Sequence, residues 1–362
     1  MIAIEAGVLA RAMKNAAAVT ESRNTIPILS NVRLQADGDT LEIVTSDLDV
    51  EYRERLPLAD GGQLATTADS KRLAAVASAA GKGSQLKLEL AEGRLTVRNG
   101  RSRWQMPVLP VDDFPQLPFE SDTVELRFTG SDLSALLARV LWSVSTEQTR
   151  YYLHGPLLHG HDGKTTLAAT NGHTLAQQIS ELDHPHGAAD VILGPKWCRI
   201  VEALSRDADA VKLEWNAGKV RATVGETVLT GKVIDGTFPD YRRVIPPVSE
   251  APVTVDPASL RAGVGKAIVL ASDKTRIVKV ERQAGTLLLT CTSPETGTGS
   301  ADVPAECESG FVSGFDARYL DQMLAAIGGD SITIHHADGG APARFERVAK
   351  DGFTGVVMPC RV

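Results

Sequence analysis

The sequence predicts an α+β protein in which one fold is repeated three times, and three observations carry that reading. Features recur at a fixed spacing: Leu86-Lys-Leu-Glu-Leu90 and Val211-Lys-Leu-Glu-Trp215 lie 125 residues apart, as do Gly93 and Gly218, and Phe114-Pro115 and Phe238-Pro239 lie 124 apart. Apolar and polar residues alternate in many short runs, the pattern of antiparallel sheets with one covered face. Acidic residues stand at the expected starts of helices, where a side-chain oxygen satisfies backbone N–H groups without a helical partner.

Taken in order, each copy reads as two half-units, each a helix followed by alternating strands. The boundaries fall near 1–120, 121–246 and 247–362. Leu9, Leu133 and Leu260 each open a helix after a short strand, Ile2–Ile4, Val124–Phe128 and Val253–Val255. Asp132 and the Asp256-Pro257 pair are read as helix starts. Helices are expected over 5–23, 69–82, 130–150, 194–209, 256–276 and 314–330, and Ile332-Thr-Ile-His335 is the strand after the last. The stretch Gly231–Pro247 leaves one copy and enters the next. It starts as a strand, breaks at Asp235-Gly236 and Phe238-Pro239, and closes on Pro246-Pro247. By its residues alone it is a rigid linker carrying Tyr241, Arg242 and Arg243.

At 362 residues the chain suits two or three domains. A hydrophobic content of 43% and a mean hydropathy of −0.06 describe a soluble globular protein. Met1–Glu5 lacks the basic start and apolar core of a signal peptide. Cys198, Cys291, Cys307 and Cys360 are scattered, which argues against a zinc site or a disulfide framework and for a reducing cytoplasm. The net charge of −7 is an average. The six helical segments hold 16 Lys and Arg against 13 Asp and Glu, so helices are net basic and the remainder net acidic. That sign suits a surface that attracts phosphates without reading bases.

Catalytic signals are weak. Asp47, Asp49 and Glu51 are the best candidates: on a strand, period 2 would put three carboxylates on one face, where they could hold Mg²⁺ for phosphoryl transfer. Alternation with Leu48, Val50 and Tyr52 reads equally as a half-exposed outer strand, and that reading is preferred. His159, His161, His184, His186, His335 and His336 come in pairs without Cys or carboxylate partners and are read as surface histidines. Gly81-Lys-Gly-Ser84 lacks the upstream glycine of a phosphate loop.

Several motifs together carry a family likeness: Ile26-Pro-Ile-Leu-Ser-Asn31, Asp112-Asp-Phe-Pro115, Arg150-Tyr-Tyr-Leu-His-Gly155, Ala169-Thr-Asn-Gly-His-Thr-Leu175, Phe238-Pro-Asp-Tyr-Arg-Arg-Val244 and the terminal Val356-Val-Met-Pro-Cys-Arg-Val362. Along its whole length the chain closely resembles the bacterial DNA polymerase III β-subunit family of sliding clamps. The resemblance implies a DNA-clamp fold with three similar domains, helices lining a ring and antiparallel sheets outside. It implies a head-to-tail homodimer that encircles duplex DNA without sequence preference and is not itself catalytic. Expected partners are the polymerase III α subunit, the clamp-loader δ subunit, and other polymerases and repair proteins with the same short motif. No cofactor or metal is implied. A divergent paralogue with other partners is the alternative, suggested by Thr174, where the family usually has arginine, and by Cys360, where a larger apolar residue is common.

By the same resemblance, a partner-peptide pocket between domains 2 and 3 comprises Leu153, Thr170, Gly172, His173, Thr174, Leu175, Pro239, Arg243, Val244, Tyr319, Val357, Met358, Pro359, Cys360, Arg361 and Val362. DNA contacts fall to Arg23, Arg150, Tyr151 and Tyr152, with Glu147 or Gln148 nearby. Lys14, Lys71, Arg72, Lys196, Arg199, Arg261 and Lys266 are helix cations that could face the hole. The dimer seam pairs Trp104 and Met106 with Val269 and Leu270 of the other subunit, with Arg101, Arg103 and Glu295 as rim charges.

Overall fold

The computed structural model describes residues 1–21, 25–120, 122–272 and 276–362. The first third runs β1 (Ile2–Glu5), α1 (Ala6–Ala16), β2 (Asn31–Asp37), β3 (Thr40–Ser46), β4 (Val50–Pro57), β5 (Leu64–Asp69), α2 (Ser70–Ala80), β6 (Gln85–Ala91), β7 (Arg94–Asn99) and β8 (Ser102–Pro107). The second runs β9 (Val124–Thr129), α3 (Gly130–Leu141), β10 (Leu157–His161), β11 (Lys164–Thr170), β12 (Thr174–Asp183), β13 (Val191–Leu193), α4 (Pro195–Ser205), β14 (Ala210–Trp215), β15 (Lys219–Val224) and β16 (Thr227–Ile234). The third runs β17 (Val253–Val255), α5 (Pro257–Ala267), β18 (Ile277–Gln283), β19 (Thr286–Ser293), β20 (Gly297–Pro304), β21 (Val312–Asp316), α6 (Ala317–Ile327), β22 (Ile332–His335), β23 (Ala343–Arg347) and β24 (Phe353–Val357). Each third is a strand, a helix, four strands, a helix and three strands, so the threefold repetition read from spacing is present element by element.

The chain forms two compact units, Met1–Ser134 with Lys196–Val233, and Ala135–Pro195 with Ile234–Val362. In the first, β5-β2-β3-β4-β16-β15-β14-β9 are successive antiparallel neighbours, and β1-β6-β7-β8 form a separate four-stranded sheet. In the second, β13-β10-β11-β12-β24-β23-β22-β17 are successive neighbours, and β20-β19-β18-β21 form the four-stranded sheet. Strands of different thirds therefore pair directly, β4 with β16 and β12 with β24. Leucines, valines and alanines of the helices and inner strand faces make the core, with Trp197 and Trp215 among its largest buried side chains. No helix of the described residues is long and apolar enough to cross a membrane.

The helices are shorter than the periodicity predicts, chiefly at their C-terminal ends. The segment 130–150 is helical only to Leu141. There Trp142 Nε1 turns back to donate to Arg139 O at 2.8 Å, and Ser145 N bonds Leu153 O at 2.9 Å, drawing the chain into a 3-10 turn over Gln148–Leu153. Asp256 caps its helix as expected, Asp69 and Asp316 cap theirs, and Glu5 caps α1. Asp132 does not: its own N–H donates to Thr129 Oγ1 at 3.2 Å, so the threonine is the cap and the aspartate sits in the first turn.

Candidate functional site

A groove of the second unit lies where β12 meets β24. Their register sets Leu175 opposite Val356, and both side chains line a groove of about 330 Å³. The tight turn before β12 forms one lip. Asn171 Oδ1 accepts from His173 N and Thr174 N, each at 2.8 Å, and Gly172 holds φ +87°, a left-handed conformation that a side chain would strain. The chain end is tied to that turn, since Met358 N donates to His173 O at 2.9 Å. The His173 ring stacks on Tyr319 with centroids 5.8 Å apart.

The far wall is the 3-10 turn Tyr241–Val244. Tyr241 is buried against Ala168, Leu175 and Val356, with Phe238 and Ile245 packed beside it. Its hydroxyl meets His159 Nε2 at 2.9 Å, while His159 Nδ1 lies 2.9 Å from Gly160 O. A carbonyl can only accept, so Nδ1 carries the proton and the neutral ring accepts from the tyrosine. Burial holds His159 below its usual pKa and pushes the Tyr241 phenol up to about 12. Val244 and Met358, 52% and 40% exposed, are left as apolar edges.

Nine of the predicted pocket residues line this groove: Leu153, Thr170, Gly172, His173, Thr174, Leu175, Pro239, Val244 and Met358. Tyr319 supports it through His173. The others do not line it. Strand alternation turns Val357 to the opposite face and puts Val356 in its place. Arg243 points outward and pairs with Asp240 at 3.1 Å. Pro359, Cys360, Arg361 and Val362 run away from the groove, because Cys360 N donates to Gly314 O on β21 at 2.8 Å. Asp240, Tyr241 and Val356 also line the groove and escape sequence reasoning. Thr174 is buried, with its hydroxyl 2.8 Å from Ser143 Oγ, so it braces the turn from beneath.

Among the expected nucleic-acid contacts, Arg150 and Tyr152 line the groove. Arg150 Nε donates to Glu147 Oε2 at 2.7 Å, and the hydrogen bonding from Arg150 is the main reason the Glu147 carboxyl lies below its usual pKa. Tyr151 is exposed. Arg23 lies outside the described residues. Lys196 is an anchor, not a free cation: its ammonium bonds Asp47 Oδ2 and Val19 O. It borders a cleft of about 1110 Å³ in the first unit, with Arg11, Lys14 and Arg199 against Glu21 and Asp207. Arg199 and Lys14 are exposed there, as are Lys71 and Arg72 on α2 and Lys266 on α5; Arg261 is paired with Asp321 at 2.6 Å.

For the expected seam, Val269 and Leu270 are exposed, as are Arg101, Arg103 and Glu295. Met106 is buried in its own domain opposite Leu95, and Trp104, opposite Val97, is half-buried, because both point to the inner face of β8. The outward side chains of that strand are Arg103 and Gln105.

The carboxylate cluster is not a metal site. Asp47 and Asp49 stand in a turn, not on a strand: Asp47 Oδ1 accepts from Asp49 N at 3.0 Å and Val50 N at 2.7 Å, and Leu48 has φ +79°. Asp49 pairs with Lys232 at 3.0 Å, and the buried Glu51 with Arg53 at 3.0 Å. No three potential ligands converge on a metal position among the described residues. His159, His335 and His336 are buried and hydrogen-bonded rather than on the surface, His336 lying between Ser313 and Ala341 O.

Comparison with known proteins agrees over the whole chain. Residues 1–118, 128–240 and 242–361 match the models of the N-terminal, central and C-terminal domains of the DNA polymerase III beta subunit. A beta sliding clamp of Caulobacter vibrioides is 33% identical, with all of both chains covered. The solved sliding clamp of Bartonella birtlesii bound to griselimycin is 31% identical, with a TM-score of 0.95 over 100% of this chain and 99% of that one. The polymerase III subunit beta of Pseudomonas aeruginosa is 29% identical, with a TM-score of 0.93 and complete coverage of both.

Proposed function

The chain belongs to the DNA polymerase III beta-subunit family, the beta sliding clamps, and from that membership we propose how its parts divide the work. It is a non-catalytic clamp that keeps a polymerase on DNA. Domains 1–120, 121–246 and 247–362 make half of a homodimeric ring in the cytoplasm. The seam joins β8 of one protomer to β20 of the other. Each is the edge strand of a four-stranded sheet, presenting a row of unpaired backbone groups, and Val269 and Leu270 lie exposed on the β20 side.

The observation that carries the partner role is the groove over β12 and β24. It has an apolar floor, aromatic walls and a few fixed polar groups, the build of a short-peptide site. It accepts a segment with an anchoring glutamine followed by Leu and Phe or similar residues, from the polymerase α subunit, the loader δ subunit and other motif-bearing polymerases and repair proteins. Exposed helix cations such as Lys14, Lys71, Arg72 and Arg199 hold duplex DNA loosely through phosphates.

Encirclement gives the sharpest test. Loaded on nicked circular DNA, the protein should persist at salt that strips ordinary phosphate contacts, and should leave once the circle is cut. Equal retention on both forms would show that direct contacts hold it.

A further inference from the structure

A second cavity, of about 700 Å³, lies on the same face of the same sheet as the groove. Along β12 the residues with one orientation are Leu175, Gln177 and Ile179; Leu175 lines the groove, and Gln177 and Ile179 line the second cavity. Thr354, opposite Gln177, continues the series from Val356 on β24. Leu175 and Ile179 are four residues apart, about 13 Å along a strand. The turn Tyr241–Val244 crosses between the two hollows. Tyr241 is its buried foot, while Arg243 points outward on its crest.

The charge of the second cavity differs from that of the groove. Its apolar wall comes from Ile179, Ile245 and Pro246, and its rim carries Arg242, Arg344 and Lys350, with Glu346 pairing Arg344 and Asp240 pairing Arg242 at 3.1 Å. Arg344 is held in place, with one guanidinium nitrogen on Glu346 and another donating to Pro246 O at 3.0 Å, but its Nε is buried without a hydrogen-bond partner. The crest adds Arg243, which shares Asp240 with Arg242, so four cations against two carboxylates leave a net positive rim between Val244 at the groove edge and Lys350 beyond the turn.

We propose that this cavity receives an acidic, partly apolar segment flanking the groove-binding motif of a partner protein. The proposal rests on the groove being a peptide site. The occupant's chemistry follows from the lining: carboxylates for the excess cations, and one bulky apolar side chain for the wall of Ile179 and Ile245. Tethering to the motif makes the second contact intramolecular, so modest rim charges add affinity that they could not supply to a free peptide.

The test uses the full-length protein and three fluorescent peptides. One carries the motif alone; two add six residues, mainly Glu and Asp with one Leu, before or after it. One flanked peptide should bind about tenfold tighter than the motif alone, and the gain should shrink as NaCl rises from about 50 to about 300 mM. Lys350→Glu should abolish the gain and leave the motif-only affinity unchanged, which also shows that the variant is folded; Lys350→Met should give an intermediate gain. The proposal is overturned if neither flank gains more than about twofold, or if Lys350→Glu leaves the gain intact. It is also overturned, in favour of nucleic acid, if an oligothymidylate of equal charge displaces the flank as readily as a free acidic peptide. Failure of the motif-only peptide to bind the unaltered chain would instead sink the groove reading on which this one rests.

Discussion

Where the first and second domains meet, β4 pairs with β16; where the second and third meet, β12 pairs with β24. Sequence spacing relates the two joints: the shift of 124 that carries Phe114 to Phe238 also carries Asp47 to Asn171, Leu48 to Gly172 and Glu51 to Leu175. The geometry follows the same shift. Asp47 and Asn171 each accept from the backbone N–H groups two and three residues on, and Leu48 and Gly172 share a left-handed φ. The joints are then finished differently. At the first, Ile28, Leu29, Val44 and Phe114 close a packed cluster with Leu109, and Glu51 Oε2 accepts from Leu117 N at 3.0 Å, fastening the linker down. At the second, Ala168 replaces Val44 and Leu175 replaces Glu51, Tyr152 remains half-buried, and a groove stays open beside Tyr241. An open groove arises here by leaving one of two corresponding joints unfilled.

Four experiments bear on that contrast, from the largest expected effect to the smallest. Replacing Val244 and Met358 together by Ala removes both exposed apolar edges of the groove without touching the core. At about 1–2 kcal/mol each, motif peptides should bind about 100-fold more weakly by anisotropy, with thermal stability unchanged. Peptide binding at wild-type strength would place the site elsewhere. Glu51→Leu imports the groove residue into the closed joint. It strands the Leu117 amide and leaves Arg53 only its longer contact to Glu42, and should cost about 2 kcal/mol in denaturant unfolding, leaving peptide affinity as it was. A neutral result would mean that the linker is not held there.

Ala168→Val does the reverse, adding beneath Leu175 and Tyr241 the bulk that Val44 supplies at the other joint. Overpacking of about 1 kcal/mol should lift the groove floor and weaken peptides several-fold; unaltered affinity would separate the floor from the site. The smallest effect concerns pH. His159 is held below its usual value of 6.5 by burial, so below that pH the unfolded chain takes up a proton before the folded one. Stability should therefore be full above about pH 7 and decline as pH falls through 6.5 towards the lowered folded value. His184, His335 and His336 shift the same way, so His159→Gln should remove only part of the decline in melting temperature between about pH 7.5 and pH 5.5. An identical pH profile in the variant would show that the Tyr241–His159 pair does not titrate.

Repetition, strand alternation and acidic helix caps are local properties of the chain, and they make the three-copy α+β architecture legible from the residues alone. The terminal motif and the linker motif likewise mark the neighbourhood of the groove. What the sequence by itself determines stops where side chains must be oriented by partners distant in the chain. Arg150 is placed among the nucleic-acid contacts by the family resemblance; only the fold sets Gly172 against its guanidinium and makes it line the groove as well. Asp47, Asp49 and Glu51 read as a carboxylate face because period 2 assumes an unbroken strand, whereas Leu48 at positive φ breaks it and sends the three to separate partners. Val357 and Val356 are equally apolar in the sequence, and the pairing of β24 with β12 alone decides which of them faces the groove. Local preference sets which elements form, but the identity of a site depends on register and on non-local packing, and those are fixed only when the strands of different domains meet.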